Sequence, residues 1–320
     1  MRKVCIFVLV SIVSFALSAH AAWPERPIRF IVPGGAGGAP DILMRILASE
    51  LSKQLGVAIV VENKPGALGT LGMLDVVRAA PDGYTLGYGN IVPLSVAQSL
   101  MDKLPYDVEK DLSLVSNTLR VANLLAVTNE LPVKSVPELV AHAKRNPGRL
   151  SMASAGNGTT SHLGGELFKA MTGTFILHVP YRGSPPAIND LIAGRVHLMF
   201  DNLSSIAPHA KSGRVRALAV SGVRRSPVFP DLPTVAESGV PGYETVAWGG
   251  VVGPAGLPKE IVTRLRAEIA KANASPALIE RYRALDTETD ASSPEEFLAL
   301  VRRETPKWAQ VIRRAGVKVD

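Results

Sequence analysis

The stretch Pro27–Leu47, PIRFIVPGGAGGAPDILMRIL, constrains this chain more than any other. It reads as a short apolar strand, Ile28–Val32, then a loop of Gly34, Gly35, Ala36, Gly37 and Gly38, then a helix opening near Pro40. A strand that ends in glycines at a helix start makes a site for an anion. The glycines let the backbone approach a ligand, and the first helical N–H groups lack intrahelical partners. The helix dipole adds partial positive charge. The chain repeats the pattern later: strand Leu150–Ser154, a loop through Gly156, Asn157 and Gly158 to Ser161, and a helix from His162 to Met171. Two such helix starts in two halves of one chain suit a ligand gripped from both sides.

The intervening sequence supports an α/β class. After the first helix come strand Val57–Val61, loop Glu62–Gly69, helix Leu71–Ala80 and strand Tyr84–Tyr88, which ends at Gly89 and Asn90. The order β-α-β-α-β implies a parallel sheet with right-handed crossovers, and ligands in such sheets sit at the carboxyl ends of strands. The second set continues with strand Phe175–Val179, helix Pro186–Ala193, strand Val196–Phe200 and strand Val215–Ser221. Tyr181 and Asp201 fall just after two of these strands. Val115–Asn129 and Tyr243–Val252 read as crossovers between two domains, and the chain ends in helices Lys259–Ala274 and Pro294–Ala315, with a kink expected at Pro306. The expected division is residues 1–21 as a signal peptide, 22–122 as the first part of domain 1, 123–246 as domain 2, and 247–320 as the remainder of domain 1.

A chain of 320 residues is long enough for two such cores. Arg2 and Lys3 precede an apolar run from Val4 to about Leu17 and then Ala19-His20-Ala21. That is the layout of a cleavable secretory leader, too short for a membrane span of roughly 20 residues. Cys5 is the only cysteine and lies inside the leader, so the exported chain has no thiol for a disulfide or for catalysis. The formal charge of +7 is a modest pull on anionic solutes. Without a lysine or arginine run, and with export, nucleic acid is not an expected partner.

Several familiar chemistries do not fit. A G-x-G-x-x-G register begun at Gly35 puts Pro40 where the last glycine belongs, and no phosphate-binding P-loop motif occurs. The six histidines show no close metal spacing, so neither metal nor cofactor is expected. Asp41 suits the dipole of the first helix, or else orients the loop, a water or a ligand donor. Ser154, Thr159, Thr160, Ser161 and His162 offer hydroxyls and amides to a carboxylate, or simply cap the following helix. A hydrolase would pair Ser154 or Ser161 with His162 and Asp201, but the sequence lacks the G-x-S-x-G elbow. Trp248 is either hinge packing or a cleft wall.

Further residues carry a resemblance. WPERPIRFIVPGGAGGAPD, VENKPGALGTLG, APDGYTL, SAGNGTTSHLGGELF, HVPYRGSPPAINDLIAGRVHLMFDN, GRVRALAVSG, FPDLPTVAESGVPGYE and KWAQVIRRAGVK follow one another in order. From about Trp23 to its end the chain resembles the Bug-type solute-binding proteins, the receptors of tripartite tricarboxylate transporters. The resemblance implies a type II periplasmic-binding-protein fold: two Rossmann-like α/β domains, two hinge crossovers and a ligand cleft between them. It implies a periplasmic protein, a small organic carboxylate as ligand (a di- or tricarboxylate, an acidic amino acid or an aromatic acid), and membrane permease subunits as partners. The site carried over is the backbone of Gly34–Gly38 with Asp41, and from the second domain Ser154, Gly156, Thr159 and His162, then Tyr181 and Asp201; Asn90, at its strand end, and Ala155, in the second loop, complete the expected ligand-binding set. Family members commonly hold an aromatic residue and a hydroxyl residue where this chain has Gly34 and Pro40, which bears on ligand identity. A periplasmic sensor serving a receptor kinase is the alternative of a different class, a secreted hydrolase a third, and monomer is the default state for a domain-closing receptor.

Overall fold

The computed structural model describes residues 23–318; the expected leader and Cys5 lie outside the described residues. The first domain opens with β1 (Ile28–Val32), α1 (Ala39–Leu55), β2 (Ile59–Asn63), α2 (Thr70–Val77) and β3 (Thr85–Asn90). α1 forms because Leu43, Met44, Leu47, Leu51 and Leu55 recur on one buried face, and Gly56 ends it in the left-handed conformation with φ 72°. β1 pairs in parallel with both β2 and β3, as the β-α-β reading expects.

A helical segment follows β3: a π-type turn over Val92–Val96 that runs into α3 (Ala97–Leu100). Then β4 (Leu112–Val127), sixteen residues long, leaves the first domain for the second. The second domain holds α4 (Val136–Arg145), β5 (Ser151–Ser154), α5 (Thr160–Thr172), β6 (Leu177–Pro180), α6 (Ser184–Ile192), β7 (Leu198–Asn202), α7 (Leu203–Lys211) and β8 (Arg216–Val220). β9 (Val246–Pro254) returns to the first domain, which is completed by α8 (Lys259–Asn273), α9 (Pro276–Ala284), β10 (Thr287–Thr289) and α10 (Pro294–Ala315). The last is a single helix with Pro306 inside it and a Ser293–Glu296 capping box at its start.

The two crossovers organise the sheet. Its order is β2-β1-β3-β9-β4-β7-β5-β6, with β8 and β10 also on β4. In the first domain the returning β9 lies antiparallel between β3 and the front half of β4. In the second domain the rear half of β4 plays the same part, antiparallel between β7 and β8. Each domain is therefore closed by a strand that arrives from the other, which makes the fold the type II periplasmic-binding-protein architecture with β4 and β9 as the crossovers. The close pairing of β9 on β4 needs Gly250, where a Cβ would lie 1.9 Å from the Ser116 carbonyl.

Strand and helix edges move by about two residues from the sequence expectation, which is ordinary for local signals. α3, α7, α9 and β10 are elements the sequence reading did not include. One apolar cluster runs from α1 across β4 to α6 and α7, so the two domains share packing behind the hinge.

Candidate functional site

The strands of both domains end at one cleft of about 680 Å³ between them. From the first domain Gly34, Gly35, Gly38, Ala39 and Pro40 line it, with Ala67 and Leu68 from the β2–α2 loop and Asn90 from the end of β3. From the second domain come Ala155, Gly156, Asn157, Thr159, Thr160 and Ser161, the Tyr181–Ser184 turn, and Asp201 with Asn202. Trp248 on β9 is a cleft wall and also packs edge-on against Phe297, so both of its expected roles hold.

The first loop is held from behind. Asp41 is buried and does not line the cleft; its carboxylate accepts from the Gly37 amide at 2.9 Å and from Arg45 Nε at 2.8 Å. Of its two expected roles, orienting the loop is the one its contacts show. Ala36 and Gly37 form the exposed tip of the turn and do not line the cleft either. No side chain caps α1, whose N-cap is Gly38. The first amides of that helix thus face the cleft with only one subtraction: Pro40 in the first turn has no N–H to give.

The second loop is held from within. Thr159 Oγ1 accepts from the His162 amide at 3.3 Å and donates to the Gly156 carbonyl at 2.7 Å, so α5 begins at Thr160 under a side-chain cap. His162, buried, accepts the Gly158 amide on Nδ1 at 3.0 Å. Ser154, also buried, meets a histidine, but it is His178 at 2.6 Å. Ser161 donates to the Phe200 carbonyl and accepts from the Ala155 amide. Ser154 and His162 therefore stand behind the cleft wall, and the side-chain contact to a ligand expected of them is not what the geometry offers. The reason is burial: their polar atoms are consumed in fixing the loop whose backbone lines the cleft. The serine, histidine and aspartate that a hydrolase would need are likewise each turned to other partners.

His162 and His178 stack at 3.8 Å, 7° from parallel. Burial, then the neighbouring His178, then Lys169 push His162 down to about 3; burial and Lys169 push His178 down to about 4. Both rings are neutral at ordinary pH. With Glu166 they bring three ligand atoms within 4.8 Å of one another. That donor set suits a cation poorly. Lys169 Nζ already sits 2.6 Å from Glu166 Oε1, and His162 would have to carry a proton on the nitrogen that accepts from Gly158.

Asp201 lines the cleft at 2% exposure, and burial pushes its carboxyl up to about 7 against the opposing pull of the Ser184 hydrogen bond and the neighbouring Asn202 amide. Tyr181 lines the cleft too, its hydroxyl donating to Asp190 at 2.8 Å. Asn90 turns Oδ1 to the Val92 amide.

The lips of the cleft touch across the domains. Gly158 has φ 72°, and a Cβ there would stand 2.7 Å from Leu68. Leu68 and Ala67 themselves hold positive φ, 56° and 45°. Left-handed backbone in non-glycine residues is costly and concentrates where a ligand or a moving part must be met. The sequence signal for this third loop was only its glycines, Gly66 and Gly69, and Ala67 and Leu68 were not among the expected site residues.

The family model for the tripartite tricarboxylate transporter family receptor matches residues 43–317. Among solved structures the chain is similar to Rpa4515 of R. palustris, solved with adipate, at 38% identity and TM-score 0.90 over 92% of this chain and 99% of that one. It is similar to the periplasmic binding protein BugD at 36% identity and TM-score 0.87, over 92% of this chain and 99% of that one. MatC of Rhodopseudomonas palustris, solved with bound malate, is 32% identical with TM-score 0.85, over 91% of this chain and all (100%) of that one.

Proposed function

The chain belongs to the tripartite tricarboxylate transporter receptor family, as a Bug-type member, and we propose that it is a periplasmic receptor for a small organic dicarboxylate. One observation carries the reading: two helix starts, one from each domain, open on the same cleft. The α1 start offers backbone amides without a side-chain cap, and α5 offers those of Thr160 and Ser161 beyond the one Thr159 takes. Each can hold a carboxylate at its positive pole without a buried cation. The exposed Arg182 at the cleft adds the one positively charged side chain among its lining residues.

Gly34, Gly35, Gly38, Asn90, Ala155, Gly156, Thr159, Tyr181 and Asp201 form the ligand-binding set, with Asp41, Ser154 and His162 holding the loops. Similar proteins solved with adipate and with malate support a small dicarboxylate as the ligand class. The volume is in the range for a small-molecule site. Capture closes the domains about β4 and β9, and the closed form delivers the solute to a membrane permease without chemistry on the receptor. No helix among the described residues is long and apolar enough to cross a membrane, which fits a receptor that works beside a separate permease.

The test is thermal unfolding of the leaderless protein against a panel of organic acids, adipate and malate included. A ligand that binds only the folded state raises the melting temperature with concentration. A rise with dicarboxylates supports the reading. Silence across the panel from folded protein sinks it.

A further inference from the structure

Asp201 is a carboxylate in an awkward place for a carboxylate receptor. It lines the cleft at 2% exposure. Its Oδ1 accepts from Ser184 Oγ at 2.9 Å, while Oδ2 is buried and has no partner. Such an atom costs free energy until a partner arrives, and the residue's open side is the cleft. An ionised Asp201 would repel an incoming carboxylate in a site of low dielectric; a neutral one would donate to it.

The Ser184 bond decides where a proton would go. Because Oδ1 already accepts, the acid hydrogen belongs on Oδ2, the atom that lacks a partner. The elements packed on β7 supply no cation to hold the ionised form. On α5, His162 is bonded to Gly158 and Lys169 to Glu166; on α6, Asp190 is tied to Tyr181 and Arg195; on α7, His209 sits beside Arg214 and Lys211 lies over the Phe229 ring. On β4, which pairs Leu124 with Asp201, the one charged group is Arg120, held by Asp290; β5 carries none. Arg182 at the cleft is exposed to water. Burial raises the Asp201 carboxyl to about 7, so its proton is within reach near neutral pH.

We propose that Asp201 meets the bound solute as a carboxylic acid, donating from Oδ2, so that carboxylate capture takes up one proton from the medium. The balance is simple: ionised receptor, carboxylate ligand and one solvent proton give a complex in which Asp201 is neutral. No bond other than O–H forms. The inference rests on the carboxylate-receptor reading and gives it a specificity rule. Ligand groups that accept a hydrogen bond are favoured at this point, and affinity falls as pH rises above neutrality.

The experiment is calorimetric titration of the leaderless protein with a panel of C4–C6 dicarboxylates, adipate and malate included; the tightest binder is the probe. It is run in two buffers of different ionisation enthalpy, at neutrality and one pH unit above, where the ligand is deprotonated and the two histidines behind the cleft, His162 and His178, are neutral. Expected are a heat that depends on the buffer, with about half a proton taken up at neutrality and nearly one a unit above, and affinity about fivefold weaker over that unit, tending to tenfold per unit further up. Asp201→Asn keeps an acceptor for Ser184 and a donor in place of Oδ2–H. It should bind with no proton uptake and a flat pH profile. Binding by the wild-type protein with buffer-independent heat overturns this inference and leaves the receptor reading standing, as does uptake that persists in D201N. If D201N does not fold, the wild-type buffer comparison decides alone. No binding of any dicarboxylate overturns both.

Discussion

The two glycine loops look alike in sequence and are built in opposite ways. The first leaves the start of α1 uncapped and is braced from behind by an ion pair, Asp41 with Arg45, that also takes the Gly37 amide. The second satisfies its own polar atoms through Thr159, Ser154, Ser161 and two neutral stacked histidines. The first loop leaves its helix start open to a ligand; the second spends most of its polar atoms on its own shape and keeps the Thr160 and Ser161 amides. The contrast teaches that a glycine-rich helix start is an anion site only to the extent that its side chains do not answer its amides first.

The largest effect expected on that contrast is at His162. Replacing it with Leu leaves the buried Gly158 amide unpaired, a cost of about 1–3 kcal/mol, read as a shift in urea midpoint at unchanged slope. The pH dependence sharpens the test. The folded pKa of His162 lies near 3, below the ordinary imidazole value of 6.5, so the unfolded chain binds the extra proton between those values. Its contribution to stability is present above pH 6.5 and is lost as pH falls toward 3. H162L should therefore unfold with a shallower acid limb than the wild-type protein; an identical limb would mean the ring does not hold the loop. Asp201 runs the other way. A carboxyl raised to about 7 stabilises fully below its usual range and loses that contribution as pH climbs to its folded value.

Next is Asp41→Ala. It removes two hydrogen bonds to a charged group, but Arg45 is half-exposed, so a loss of about 1–2 kcal/mol is expected. Because the brace is ionic, added salt should weaken loop 1 in the wild-type protein and do little to the variant. Salt-independent ligand affinity in the wild-type protein would break this half of the comparison.

Thr159→Ala removes a helix cap and should cost about 1 kcal/mol of stability. The smallest effect is its mirror image, Gly38→Ser, which gives α1 the cap it lacks. Gly38 holds φ −80°, open to any residue, although a Cβ there would be 3.3 Å from the Gly35 carbonyl. A gain of at most a few tenths of a kcal/mol is expected, together with weaker carboxylate binding because the new hydroxyl takes an amide meant for the ligand. G38S with unchanged affinity would show that the α1 amides are not the anion site.

Much of this was legible in the chain. The strand–glycine–helix units at Ile28–Leu55 and Ser151–Thr172, the two crossovers and the long final helix all follow from short-range hydrophobic spacing and from glycine and proline placement. Those signals are local, and a parallel α/β order leaves few ways to connect them. Nine of the fourteen expected site residues line the cleft, because strand ends in such sheets must open on it. What only the tertiary structure decided is the direction of polar atoms and the long-range pairings. Nothing near Ser154 in sequence says that it meets His178, nor near Gly158 that it abuts Leu68. Nothing at Asp201 says that one of its oxygens would be left without a partner. Such facts depend on which buried group finds a partner first, and that is settled by packing between segments far apart in the chain, where the cost of an unpaired polar atom outweighs any local preference.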